Sequence, residues 1–306
     1  HLIRVGAGEV YIDPDHQLDD VDKAVEEANY FVSASRNWTP AGGTVVDMCP
    51  INCGRDIVKL AEVEEQVDGL QVIQATGFHQ EKVYLETQSH WVSRYSVDDI
   101  AELIILDITE GIDRHDYSGP IVERTQYKAG VIKIATAYGM ITDFERKCIE
   151  AAAIASKETG CPINSHTTAG TVGLEQAELL ISLGVPPQKI AIGHIQRNAD
   201  IWYLTQILKT GVYLELDGTA RLKYQPESNR IKEFRELGEA GYGDRLLLGT
   251  DSGKRSYQKS YGATTGVDYN PAVDGPRMLD EGFEQDYVER LLMKNGQEFF
   301  TFYKDA

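Results

Sequence analysis

Positive charge is in short supply in this chain. Lys plus Arg number 30 against 48 Asp plus Glu, a formal net charge of −18 over 306 residues. So acidic a surface excludes general binding to nucleic acid or to an anionic membrane, because both need a basic face. An anionic ligand needs a local cationic pocket instead. Long apolar runs are also missing: the stretch 100–108 is too short and too charged to span a bilayer. No signal peptide is visible, and the chain opens at His1 with no initiator Met, so residues are expected upstream. Cysteine is sparse. Cys49, Cys53, Cys148 and Cys161 are too few, in too long a chain, for a disulfide framework, and read as reduced thiols in a cytoplasmic protein. Cys49 and Cys53 resemble a zinc pair only loosely, since Pro50 interrupts the spacing and no second pair follows.

What is present is ordinary globular composition, 42% hydrophobic and 25% charged, in a chain long enough to bury a large core without staples. Short runs rich in Val, Ile and Leu occur at 44–48, 70–75, 129–135, 162–166, 189–194, 212–217 and 245–251. Such near-continuous runs suit strands buried on both faces. Helical patterns separate them. The stretch 55–67 has apolar residues at helical spacing, and Ser96 is an N-cap for 97–112, with Asp98 and Asp99 at the positive end of the dipole. Thr142 and Glu145 form a capping box for a helix that Gly160 closes. Helices at 174–183, 201–209 and 229–240 end at Gly184, Gly211 and Gly241.

This alternation predicts βαβ units around a parallel sheet. No Gly-x-Gly-x-x-Gly turn follows the first strand and no P-loop occurs, which argues against a doubly wound sheet. The expectation is a single α/β domain over residues 1–306, a (β/α)8 TIM barrel. Seven strands are found where a closed barrel needs eight, so strand one is expected to be truncated before His1.

Chemistry in such a barrel sits at the C-terminal ends of the strands. Reading those ends gives Lys133, His166, His194, Asp217 and Asp251. Lys133 interrupts a Val-Ile-Lys-Ile-Ala run, a costly place for an unpaired cation. Two His and an Asp from separate strands suit zinc or a similar divalent ion. Any one of them taken alone is more simply a satisfied core or surface residue. For Asp217 a direct role and a salt bridge beside the site stand level.

The residues Gly54-Arg-Asp56, Gln74-Ala-Thr-Gly77, Ala129-Gly-Val-Ile-Lys133, Ser165-His-Thr167, Ile192-Gly-His194 and Leu248-Gly-Thr-Asp251 resemble the phosphotriesterase family of the amidohydrolase superfamily, in its lactonase branch. The likeness runs in order along essentially the whole chain. Lys294-Asn-Gly-Gln-Glu-Phe-Phe300 is similar to the family's closing segment, with Gly296 where Pro is usual. The resemblance implies a distorted barrel holding two divalent metals, usually zinc, with manganese or cobalt as alternatives. His1-Leu2 resembles the second His of the family's His-x-His motif and the residue after it, and the first His is absent from this sequence. By the same resemblance, Lys133 is carboxylated by carbon dioxide to N6-carboxylysine and bridges the metals. His166 and His194 bind the more exposed metal; His1, Asp251 and the absent His bind the more buried one. A metal-bridging hydroxide is then the nucleophile, and Asp251 is the catalytic residue that moves its proton to the leaving oxygen.

Lactones and phosphotriesters both fit that machinery, so the pocket must decide. Family lactonases acting on acyl-homoserine lactones have an Arg directly after the strand Asp, where Gly218 follows Asp217 here and Arg221 comes later. Those lactonases also have a Tyr where His79 stands. Arg221, Lys223, Lys254 and Arg255 cluster after the last two strands, with Tyr257 and Tyr261 nearby. Such loops often bind phosphate in this architecture, although loop charges can also be merely solvated. The expected substrate is a small molecule, an anionic lactone such as a sugar-phosphate lactone, bound by His79, Arg221, Lys223, Lys254, Arg255 and Tyr257. The alternatives are an organophosphate hydrolase, an acyl-homoserine lactonase, or a catalytically silent binding protein with an incomplete metal motif. A homodimer is expected.

Overall fold

A computed structural model of the chain describes residues 1–6, 8–86 and 90–303. The apolar runs become β1 (Gly43–Asp47), β2 (Leu70–Gly77), β3 (Val131–Ala135), β4 (Ile163–His166), β5 (Ile190–Gly193), β6 (Tyr213–Leu216) and β7 (Leu246–Leu248). Each strand pairs in parallel with the next in sequence, so the sheet order is β1-β2-β3-β4-β5-β6-β7. β3 is buried along its whole length, as a strand covered on both faces must be. The run expected at 245–251 is a strand only over Leu246–Leu248, and Asp251 beyond it has left-handed backbone at φ 46°.

β1 and β7 are the edges of this curled sheet. His1 stands between them at their C-terminal ends. Its amine donates to Ser252 O (3.3 Å), and Leu2 N donates to Asp47 Oδ2 (2.9 Å). The architecture is the expected (β/α)8 class, with seven strands among the described residues.

The helices α1 (Val21–Ser35), α2 (Ile57–Gln66), α3 (Glu81–Glu86), α4 (Val97–Thr109), α5 (Asp143–Thr159), α6 (Gly173–Ser182), α7 (Ile201–Leu208) and α8 (Glu227–Glu239) pack around the sheet. Both capping boxes form: Ser96 with Asp99 on α4, and Thr142 with Glu145 on α5. α4 stops short of the expected residue 112, and Gly111 past its end has φ +149°. α1 was not visible as a pattern. Its buried face is Ala24, Ala28 and Val32 with the carboxylate of Glu27, a weak apolar stripe. The C-terminal segment forms α9 (Gly275–Asp280), α10 (Gln285–Glu289) and α11 (Asn295–Phe300), with π-helical turns at Asn270–Asp274 and Arg290–Lys294. No helix among the described residues is long and apolar enough to cross a membrane.

Beneath the site, Arg55 is fully buried and donates to Asp107 Oδ2 and Asp116 Oδ1, both at 3.0 Å. Asp107 also accepts from Thr76 Oγ1 (2.8 Å) on β2 and Tyr117 OH (2.5 Å). Buried charges persist only when paired and hydrogen-bonded in this way. The network ties α4 to β2, whose last residue, Gly77, lies in register with Lys133.

Gly160 and Gly241 both close helices in the left-handed region, at φ +75° and +87°. A Cβ on Gly160 would lie 1.8 Å from Tyr303 O, whereas one on Gly241 meets nothing within 4 Å. Gly241→Ala should therefore cost only the backbone term, about 1 kcal/mol. Gly160→Ala should cost more, and thermal melts of the two variants should show the larger drop in Tm for Gly160→Ala.

Candidate active site

The C-terminal ends of the strands open on a cavity of about 1010 Å³ that also extends along β1 and β7, past Gly43, Thr44, Trp38, Leu291 and Phe300. Lys133, His166, His194, Asp251 and His1 all line it. The His166 and His194 rings stand edge to face with centroids 4.5 Å apart, and His79 packs against His166 at 4.8 Å. His194 has φ 58° and Asp251 φ 46°. Left-handed backbone is costly for residues with a Cβ and concentrates at functional sites.

His194 Nδ1 is 2.7 Å from Asp217 Oδ1, and its amide donates to Asp217 Oδ2 (3.2 Å). Asp217 therefore lines the cavity bonded to both the ring and the backbone of His194, and its bond to Nδ1 leaves Nε2 as the ring's other coordinating atom. His166 is held well below the ordinary histidine value by burial, and then by the positive neighbours His194, His79 and Lys133. Its imidazole is neutral at neutral pH. Burial opposes the charge of Asp251, but His194, Arg221 and Arg197 outweigh it and hold the carboxyl far below its usual range. Arg221 Nη1 lies 2.5 Å and Arg197 Nη2 3.2 Å from Asp251 Oδ2. His1 Nδ1 is 2.7 Å from Asp47 Oδ1, and Arg4 Nη2 is 2.7 Å from His1 Nε2.

Lys133 is buried, and among the described residues its amine has no ion-pair partner within 4.0 Å. Gly77 makes its position possible, since a Cβ there would stand 2.2 Å from Lys133 O. Nearby, Glu215 accepts from Asn164 Nδ2 (2.8 Å) and is raised to about 7 by burial and by the charge of Asp217. Among the described residues, no group of three or more His, Cys, Asp or Glu side chains is disposed to hold a metal ion. The chemistry of the donor set nevertheless fits a divalent cation. It offers two adjacent imidazoles, an ionised carboxylate and a buried lysine amine that carboxylation would convert to an anion.

The cations of the sequence reading divide in two. Arg221, Lys223 and Lys254 line the cavity with His79 and Tyr257. Arg221 lies over the Tyr257 ring at 4.1 Å, and Lys223 Nζ donates to Tyr257 OH (3.2 Å). Lys254 is paired with Asp13 Oδ2 at 2.5 Å. Arg255 does not line the cavity: its Nε donates to Gln17 O (2.6 Å) and its guanidinium stacks on Tyr261. Four residues were missed. Asp47 ends a strand just as the chosen residues do, and Glu215 lies two residues before Asp217. Arg197 follows His194 by three residues, and Glu9 precedes every recognisable element, so no pattern marked either.

The phosphotriesterase family model matches residues 11–300. A phospho-furanose lactonase of Mycoplasmopsis agalactiae is 35% identical over 309 residues, covering 99% of this chain and 86% of the relative. The crystal structure of a lactonase from Listeria monocytogenes is similar with a TM-score of 0.89 at 32% identity, covering 99% of this chain and 93% of that one. The phosphotriesterase homology protein from Escherichia coli, complexed with phosphate in its active site, gives a TM-score of 0.85 at 28% identity over 98% of this chain and 97% of that one.

His79 supplies a test of these electrostatics. Burial holds it at about 4 in the fold, against about 6.5 in an unfolded chain. Between those values the unfolded chain binds a proton that the folded chain does not. Stability is therefore undiminished above pH ~6.5 and falls as pH drops toward ~4, by ~3 kcal/mol from this group. Denaturant unfolding of His79→Gln should show a shallower loss between pH 7 and 4 than the parent; parallel curves would contradict the assignment.

Proposed function

The chain belongs to the phosphotriesterase family and is a hydrolase, and from that premise we propose that it opens an anionic lactone, a sugar-phosphate lactone, with the aid of two divalent metal ions. The observation that carries this reading is a shared cavity: Lys133, His166, His194 and Asp251 line it together with Arg221, Lys223 and Tyr257. In a chain of net charge −18, cations gathered at such a mouth favour an anionic substrate. The phospho-furanose lactonase relatives and the phosphate in the Escherichia coli relative's active site support the same class.

The residues divide the work. Lys133, as N6-carboxylysine, and the imidazoles of His166 and His194 would hold the metals, with His1 and Asp251 completing the set. Bound there, zinc, or manganese or cobalt, would supply hydroxide at neutral pH and polarise a carbonyl. Asp217 orients His194, as carboxylates do for ligating imidazoles. Asp251 accepts the proton of the attacking water and returns it to the departing ring oxygen. Lys223 and Tyr257 hold the remote anion and so contribute orientation away from the reacting carbon. Lys254 contributes less, because Asp13 already neutralises it, and Arg255 has no part. A neutral phosphotriester would leave the cationic rim unanswered, which favours the lactone.

Two experiments test this. Lys133→Ala should lose bound metal and activity together, as read by elemental analysis and rate; full metal content with an unchanged rate would end the metal assignment. Lys223→Ala should cut kcat/KM on a phosphorylated lactone about tenfold, and much less on the uncharged analogue. An unchanged ratio between the two substrates would return Lys223 to the solvated surface.

A further inference from the structure

The cavity has two electrically different walls. Arg197, Arg221 and Lys223 follow β5 and β6 and make one of them positive. The other is built by Glu9 and His16, which precede α1, and by His79 after β2. Its charged groups are Glu9 and Arg4, which pair with each other. Arg4 Nη1 donates to Glu9 Oε2 at 3.0 Å and fixes the carboxylate. Glu9 Oε1 is 3.8 Å from His79 Nε2, beyond hydrogen-bond reach. A carboxylate has about four acceptor sites, and among the described residues Arg4 fills one. The side chain remains 24% exposed, on the cavity that it lines. Burial works against its charge, and the Arg4 guanidinium bonded to it favours that charge.

We propose that Glu9 is a specificity-determining residue, the acceptor for a ring hydroxyl of the sugar-phosphate lactone. This rests on the lactonase reading above and deepens it. A carboxylate offers no donor to a phosphate or a second carboxylate, whereas Lys223 and Tyr257 do, so the remote anion turns to the Lys223–Tyr257 wall. The hydroxylated edge of the ring then meets Glu9. An aliphatic lactone would strip water from the carboxylate and give nothing back, which selects against it. Glu9 is not called on to react; it sorts substrates by the donors that they carry.

The test compares a pentono-1,4-lactone 5-phosphate with its 2,3-dideoxy analogue, on the parent, Glu9→Ala and Glu9→Gln. The parent should prefer the hydroxylated lactone about tenfold or more in kcat/KM. Glu9→Ala should bring the two substrates to within about threefold, with the loss carried mainly by KM. Glu9→Gln keeps a carbonyl acceptor without the charge and should fall between. Should Glu9→Ala fail to fold, Glu9→Gln and the parent's own preference decide. A preference retained in the variants overturns the role of Glu9, as does a parent that opens both lactones equally; in either case the lactonase reading stands. A parent that opens neither lactone overturns both proposals.

Discussion

A lysine amine buried in an apolar strand is the constraint on which the rest of this site depends. β3 reads Val-Ile-Lys-Ile-Ala and every one of its residues is buried. A cation there is tolerable only beside groups that answer it, because desolvation penalises the charged form heavily. The neighbours follow from that demand. Gly77 lets β2 approach the backbone of Lys133. Glu215, whose carboxyl is raised to about 7, gains from the lysine's charge. Burial keeps His166 and His79 neutral, and the lysine's charge adds a smaller push in the same direction. Neutral imidazoles beside a buried amine each keep a nitrogen lone pair, whereas protonated ones would make only a positive hole.

The same economy of charge governs the mouth. The surface is strongly acidic overall, yet Arg197 and Arg221 are drawn inward by one carboxylate, Asp251. Tyr224 and Tyr257 supply ring faces beneath these guanidiniums, at 4.4 and 4.1 Å. Aromatic faces steady a cation without neutralising it, so the rim keeps its sign. Lys254 differs because it has the carboxylate of Asp13 to itself, whereas Arg197 and Arg221 share the single carboxylate of Asp251. Two cations close in sequence to the site are therefore unequal, and the difference lies in what faces them.

The sheet was legible because strands covered on both faces have little choice but Val, Ile and Leu. All seven runs became strands in sequence order. Capping boxes made the starts of α4 and α5 equally plain. α1 escaped because small residues and a buried Glu27 face the core, so its apolar period is faint. The C-terminal helices escaped because π-helical turns break the 3.6-residue rhythm. Within the site, polar residues interrupting apolar runs stood out, and Lys133, His166, His194 and Asp251 do line one cavity. Direction within loops was not legible. Lys254 and Arg255 are adjacent, yet one lines the cavity and the other donates to Gln17 O. Nor could sequence bring Arg4 and Glu9 to His1 and His79, since these contacts depend on how the chain returns over the mouth.

Backbone strain shows how firmly the mouth is held. His194 and Asp251 both adopt left-handed φ, at a cost of order 1–3 kcal/mol each. Such conformations survive only where the surroundings over-determine them. Asp217 does this for His194 by accepting from its amide and bonding its ring. Arg221 does it for Asp251 by donating to both its side chain and its backbone carbonyl. In each case one polar side chain grips backbone and side chain together, so relaxing the backbone would also break the side-chain bond. The strain and the ionic contacts are thus a single arrangement: the groups that set the electrostatics of the site are also those that keep its two strained residues turned into the cavity.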